Sequence, residues 1–249
     1  MFATFKLLVI YLTFGVPAGI IGIPYTIIVG DITRLYWAAM WIVRTGISAA
    51  GIRVEVHGLE HVPAGQSCIF MANHVSNLDP PVLIPAIPGR CSVLLKKELM
   101  NIPILGTAMR LAQFIPVERG SRRDAAQASV KAAAEALNSG LHMIVFPEGT
   151  RSLDGRLSAF KKGPFYLAQG TAAPIIPVAI SGTESMMKKG SAVITPGTAI
   201  VRMLAPVDPT RFDSRDELLR AVRQAIANAL PESMKPLSES TLPDPSQSR

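Results

Sequence analysis

"SCIFMANHVSNLDPP", residues 67–81, is the stretch from which the fold is read. Its first half, "SCIFMAN", is a short apolar run of the length and composition of a buried strand. Its end, Asp79 before Pro80, is how a helix starts, with an acidic N-cap and proline at the first helical position. Between the two lies a polar loop carrying His74. Strand, loop and helix in succession form the unit of an α/β fold, whose sites gather at the strands' C-terminal ends. On these residues alone two readings stand. Either Asp79 caps a helix and His74 is an ordinary loop histidine, or His74 is a general base whose ring Asp79 orients. The two roles of Asp79 are compatible.

The same alternation extends in both directions. "IRVEVHG" (52–58) alternates like a half-exposed strand, and "CSVLLKK" (91–97), "QFIPVER" (113–119), "LHMIVFP" (141–147), "PIIPVAIS" (174–181) and "AIVRMLAPV" (199–207) read as further strands. Helical stretches lie between most of them. In "SRRDAAQASVKAAAEALNSG" (121–140), Ser121 can cap, the alanines favour helix, and Gly140 ends it. "SRDELLRAVRQAIANAL" (214–230) opens with Ser214 and Glu217 at capping-box spacing. Residues 52–230 are therefore expected to form one α/β domain with a largely parallel sheet flanked by helices. Residues 231–249, rich in Ser and Pro, are expected to be a disordered tail.

Residues 1–51 read differently. Between Lys6 and Asp31 no residue is charged, and "LYWAAMWIV" (35–43) follows before Arg44. About 20 apolar residues suffice to cross a bilayer core. Pro17 and Pro24 would bend such a helix, so a bent or re-entrant insertion competes with a span. Trp37 and Trp41, four apart, share one helical face, as in interfacial helices. The expectation is a membrane-inserting helical hairpin or anchor. A cleaved signal peptide fits less well, because the run exceeds the usual apolar region and no small-x-small site follows. A buried soluble helix is the remaining alternative.

Composition narrows the partners. The chain has 249 residues, 49% of them apolar, and a net charge of +7, which favours membrane lipid, nucleic acid or phosphorylated and CoA-like molecules. Aromatics are only 6% and no RNA-binding aromatic motif is present, so no nucleic-acid partner is expected. Cys68 and Cys91 sit in apolar runs without CxxC spacing and read as buried thiols of a reducing compartment. His57, His61 and His142 read as structural, and no metal-ligand cluster is expected.

Three further stretches end strands with groups suited to anions. "FPEGTRS" (146–152) combines a glycine, a carboxylate and Arg151; "FIPVERG" (114–120) brings Arg119 to a helix start; "KKEL" (96–99) places Lys96 and Lys97 after a strand. Each basic residue alone reads more readily as surface. Together they point to one sheet edge.

With these residues in view the chain resembles the glycerolipid acyltransferases. "NHVSNLD" matches that family's NHxxxxD motif and "FPEGTRS" its third block; "FIPVERG" and "PIIPVAI" (174–180) look like the second and fourth, in the family's order from about Val54 to Val207. In length and N-terminus the chain is most similar to the bacterial 1-acylglycerol-3-phosphate acyltransferases. The resemblance implies a mixed, largely parallel glycerol-3-phosphate acyltransferase-like sheet. It implies transfer of a fatty acyl chain from acyl-CoA or acyl-ACP to the sn-2 hydroxyl of lysophosphatidic acid, giving phosphatidic acid.

In that scheme His74 is the base and Asp79 holds its tautomer. Arg119, Arg151 and Lys96 or Lys97 bind the acceptor phosphate, and Glu148, Gly149 and Thr150 shape the acceptor site or offer oxyanion donors. Pro177 lies on the acyl or carrier side. No cofactor beyond the acyl donor is implied, and the expected location is the cytoplasmic face of an inner membrane. Other acceptors (glycerol 3-phosphate or a lyso-aminolipid), a hydrolase and a non-catalytic lipid-binding homologue remain as alternatives.

Overall fold

The computed structural model describes residues 2–117, 123–187 and 190–237. Seven strands form one sheet: β1 (Ile52–His57), β2 (Ile69–Ala72), β3 (Cys91–Lys96), β4 (Ile115–Val117), β5 (His142–Val145), β6 (Ile175–Ser181) and β7 (Gly197–Met203). Their order is β1-β7-β6-β2-β5-β3-β4, and every pairing is parallel except β6 with β7. Strand β2 is buried along its whole length, as its unbroken apolar run requires. In "IRVEVHG" the expected alternation is weak. Only Ile52 is buried there, because β1 is an edge strand with a single neighbour.

Helices cover both faces. On one, α6 (Arg123–Asn138), α7 (Gly163–Thr171) and α9 (Arg215–Ala229) bring Leu137, Phe165, Leu218, Val222 and Ile226 against Ile69, Met143 and Ile175. On the other, α3 (Thr33–Ala49) and α4 (Asp79–Leu83) set Ile47, Val82 and Leu83 against Phe70, Ile144 and Ile176. Each such side chain, fully buried, stabilises the fold by about 1.5–3 kcal/mol. Two short helices, α5 (Leu105–Leu111) and α8 (Thr183–Met186), follow β3 and β6. Ser214 caps α9 by accepting from the Glu217 N–H at 3.2 Å, as its spacing foretells. Ser121, the expected cap of α6, lies outside the described residues.

The N-terminal segment is a helical hairpin. One helical run extends from Phe2 to Val29, long and apolar enough to cross a membrane. It consists of α1 (Phe2–Ile10), a π-turn at Tyr11–Gly15 and α2 (Val16–Val29). The prolines do not break it. Pro17 falls at the start of α2, just after the π-turn, where the ladder is already rearranged. Gly30, at φ +74°, ends the run, and Asp31 Oδ1 accepts from the Thr33 N–H at 2.9 Å to open α3, which packs back along α1 and α2.

At the other end the packed chain continues past Leu230. Met234 is 3% exposed and its carbonyl accepts from the Leu157 N–H at 2.8 Å. Residues 231–237, which composition alone assigns to the tail, are therefore attached to the domain by a buried side chain, this backbone bond and the Arg156 guanidinium, which donates to the Lys235 carbonyl at 3.0 Å.

Candidate functional site

Strands β2 and β5 are parallel neighbours with Met71 opposite Val145, so the loops that follow them leave the sheet side by side. That register brings together two motifs some seventy residues apart. The His74 ring stacks on the Phe146 ring with centroids 4.3 Å apart. The backbone joins them further: the His74 N–H donates to Glu148 Oε1 at 2.7 Å, and the His74 carbonyl accepts from the Ser152 N–H at 2.8 Å.

At the centre His74 Nδ1 lies 2.8 Å from Asp79 Oδ2. The same oxygen accepts from the Val75 and Ser76 N–H groups at 2.7 and 2.8 Å, and Oδ1 accepts from Thr183 Oγ1 at 2.6 Å. Asp79 is fully buried, and three protein donors besides the imidazole converge on its two oxygens. Against an ionised carboxylate, which only accepts, the imidazole donates from Nδ1. That leaves Nε2 with a lone pair. The His74 side chain is 17% exposed, so an incoming group has access to it. The helix-cap reading of Asp79 needs correction. Asp79 does begin α4, with proline next to it, but its carboxylate makes no cap bond to that helix and turns back to the 74–76 amides.

Glu148 is also turned inward. It is 3% exposed, and its second oxygen accepts from the Ser158 N–H at 2.9 Å. Burial raises its carboxyl above the ordinary range, and the amides of His74 and Ser158 oppose that shift. Its carboxylate is thus committed to holding the His74 loop rather than presented to a ligand. Gly149 sits at φ +70°, and its N–H donates to the Phe146 carbonyl at 2.9 Å, closing a turn with Pro147 in its second position. The Gly149 amide, one of the expected oxyanion donors, is therefore already used. Thr150 beside it is exposed, and among the described residues its amide has no partner.

Lys96 ends β3 at the same sheet edge, exposed and paired with Glu98 at 3.0 Å; Lys97 follows it, also exposed. Arg151 is half-buried and adjoins Ser152, the residue bonded to His74. Arg119 lies outside the described residues. Pro177 is buried inside β6, opposite Met71, three residues short of His74's level. Its backbone shows why proline suits that place. The register with β7 slips by one residue between the Ile175–Val207 bridge and the Val178–Met203 pair, a bulge at which the Pro177 carbonyl accepts from the Leu204 N–H at 2.9 Å and proline is tolerated.

Several residues at the site were not singled out from sequence. Asn73 carries β2 one step further, its side chain donating to the Ile180 carbonyl at 2.9 Å and accepting from the Ile180 N–H at 2.7 Å. Phe146 and Ser152 lie inside the quoted "FPEGTRS", so that motif contained the signal for them. Thr183 and Ser158 had none. Cys68 and Cys91 are buried, which pushes their thiols up to about 11 and about 12 and leaves them poor nucleophiles.

The fold and the site define a class of α/β protein in which a histidine–aspartate loop after one central strand is locked to a Pro-Glu-Gly loop after its neighbour. Comparison with known proteins says which. The sequence profile of the family described as Acyltransferase matches residues 53–181, and the chain belongs to that family. It is 34% identical over 189 residues to the 1-acyl-sn-glycerol-3-phosphate acyltransferase of Limnanthes alba, covering 75% of this chain and 66% of that protein. To the alpha form of the same enzyme from Homo sapiens it is 36% identical over 168 residues, covering 68% and 59%. The chain thus spans less than two thirds of the length of these relatives. The crystal structure of the 1-acyl-sn-glycerophosphate (LPA) acyltransferase PlsC from Thermotoga maritima aligns with a TM-score of 0.75 and 29% identity, over 90% of this chain and 93% of that one.

Proposed function

We propose that this protein transfers a fatty acyl chain from acyl-CoA or acyl-ACP to the sn-2 hydroxyl of 1-acylglycerol 3-phosphate, forming phosphatidic acid. The observation that carries the reading is the His74–Asp79 pair, with the His74 side chain still 17% exposed. Nε2 takes the proton of the acceptor hydroxyl as its oxygen bonds to the thioester carbonyl carbon. The imidazolium so formed is stabilised by the buried Asp79 carboxylate. The tetrahedral intermediate then collapses, the carbon–sulfur bond breaks, and the thiolate leaves with the proton that His74 held. Thr150 N–H, unpartnered among the described residues beside the Pro-Glu-Gly turn, is the donor for the oxyanion. Arg151, Lys96 and Lys97 supply a cationic rim for the acceptor phosphate, and the family resemblance gives Arg119 the same role. Transfer is direct, in keeping with two cysteines held as thiols by burial.

The hairpin supports action at a membrane surface, in the expected setting the cytoplasmic face of an inner membrane. Thr4 Oγ1 donates to the Ala192 carbonyl at 3.2 Å and accepts from the Ile194 N–H at 2.9 Å, while Gly19 packs against Ile104. About 22 Å of helix, at about 1.5 Å per residue, is thereby tied to the catalytic domain at both ends. Only about 15 Å remains beyond Gly19, half of a bilayer core of about 30 Å. This favours a helix that lies in one leaflet over one that crosses both.

The test is an assay of the purified full chain with lysophosphatidic acid and either acyl-CoA or acyl-ACP, scored by lipid product. Phosphatidic acid should form with at least one donor, and His74→Ala should abolish it while vesicle binding survives. An active alanine variant would remove the base assignment. Faster turnover of glycerol 3-phosphate or of a phosphate-free lysolipid would replace the acceptor.

A further inference from the structure

Asp79 Oδ1 is held by a group that belongs to neither matched loop. Thr183 opens α8, straight after β6, and its hydroxyl donates to that oxygen at 2.6 Å from a fully buried position. The approach is built into the backbone. Gly182 sits at φ +91°, and a Cβ there would lie 2.2 Å from the Thr198 carbonyl oxygen, so only glycine lets the chain leave β6 in this direction. The same segment grips the loop a second time, since Ser76 Oγ donates to the Met187 carbonyl at 2.9 Å. The terminal torsion of an aspartate is soft, and the three donors on Oδ2 leave the carboxylate plane free to turn about them. A fourth bond on Oδ1 removes that freedom.

We infer that Thr183 is a positioning residue for acyl transfer, fixing the Asp79 carboxylate so that His74 keeps its proton on Nδ1 and its lone pair on Nε2. The inference rests on the assignment of His74 as base. Without the hydroxyl, Oδ1 is buried and unpaired, the carboxylate turns, and part of the enzyme holds the ring in the unproductive tautomer. General-base catalysis contributes about 10²–10⁴-fold in rate. Partial loss of its alignment is expected to lower kcat roughly 10- to 100-fold.

The experiment compares Thr183→Val, Thr183→Ala and Thr183→Ser in the full chain. Valine and alanine should lower kcat by that factor with KM for both substrates changed less than about twofold. They should also displace the acid limb of the pH–rate profile, and serine should restore most of kcat and the limb. Unchanged kcat and pH profile in folded Thr183→Val would overturn the inference. So would failure of both the valine and alanine variants to fold, since the hydroxyl would then serve folding. The ring-nitrogen NMR signals of His74 need no turnover. A single Nδ1–H tautomer in the parent and a mixture in Thr183→Val would uphold the positioning role even if the parent acylated no lysolipid, a result that would sink the activity alone.

Discussion

Glu148 holds the His74 backbone through one carboxylate oxygen and the Ser158 backbone through the other, and both partners are N–H donors. A glutamine of the same size keeps one acceptor and turns an NH2 group toward the second donor. Glu148→Gln should therefore cost about 1–3 kcal/mol of stability, the usual penalty for an unsatisfied buried group. A lowered thermal midpoint would show it, together with a kcat loss exceeding any rise in KM for the acceptor. If Glu148 instead gripped the acceptor directly, KM would move first. The residue types of this site were legible in the sequence because His74 and Asp79 lie five apart in one loop, where spacing alone has meaning. The function of Glu148 was not, because its partners are amides 74 and 10 positions away and only the β2–β5 register brings the first of them near. Thr183, 104 positions from Asp79, left no local sign at all.

Among the elements, the hairpin shows both what pattern reveals and what it hides. Absence of charge from residue 7 to 30 announced the first helix, and the apolar run at 35–43 announced the second. Nothing in that pattern said that the helix would be riveted to the domain at Gly19. A Cβ on Gly19 would lie 2.1 Å from Ile104 Cγ2, and Ile104 is itself held at φ +65°, a conformation a β-branched residue avoids. Two effects compete in Gly19→Ala. Alanine favours helix by about 0.8–1 kcal/mol over glycine, but the clash involves a methyl one bond from a branched Cβ, which cannot swing aside. Overpacking of this kind costs about 1–3 kcal/mol, so it should prevail. Gly19→Ala is expected to lower the thermal midpoint in detergent, and adding Ile104→Ala should return it. A Gly19→Ala protein more stable than the parent would mean that the helix is not seated on the α2–α5 contact.

Over the whole molecule, acid stability should depend on an imidazole far from the chemistry. His142 begins β5, at the opposite end of the strand from the Pro-Glu-Gly loop. Its Nδ1 accepts from the Cys68 N–H at 3.1 Å. Burial lowers its pKa below the ordinary 6.5, against an opposing hydrogen bond with the Pro88 backbone. The sign follows: the unfolded chain binds this proton more readily than the fold does, so stability is full above pH 6.5 and is lost as pH falls through the lowered folded value. Protonated, Nδ1 would confront the Cys68 N–H with a second donor. His142→Asn places an oxygen where Nδ1 was, keeps that bond and does not titrate, so its thermal midpoint should fall less than the parent's as pH drops below 6.5. Parallel curves would assign acid lability elsewhere.

The outer face of the hairpin bears on where the molecule works. Ile20, Ile21 and Ile28 are exposed, Ile28 to 84%, with Trp37 and Trp41 exposed on α3. An apolar face of this extent in water is a docking surface, and aromatic side chains of this kind favour the lipid interface. Because these isoleucines touch little of the protein, charging them should leave the fold intact. Ile21→Glu with Ile28→Glu is expected to keep the parent's thermal midpoint in detergent and its rate on dispersed lysophosphatidic acid. It should lose flotation with vesicles containing anionic lipid. If the helix crossed both leaflets, two glutamates would instead block insertion and leave misfolded protein. Vesicle release with a normal melt therefore separates a one-leaflet seat from a span.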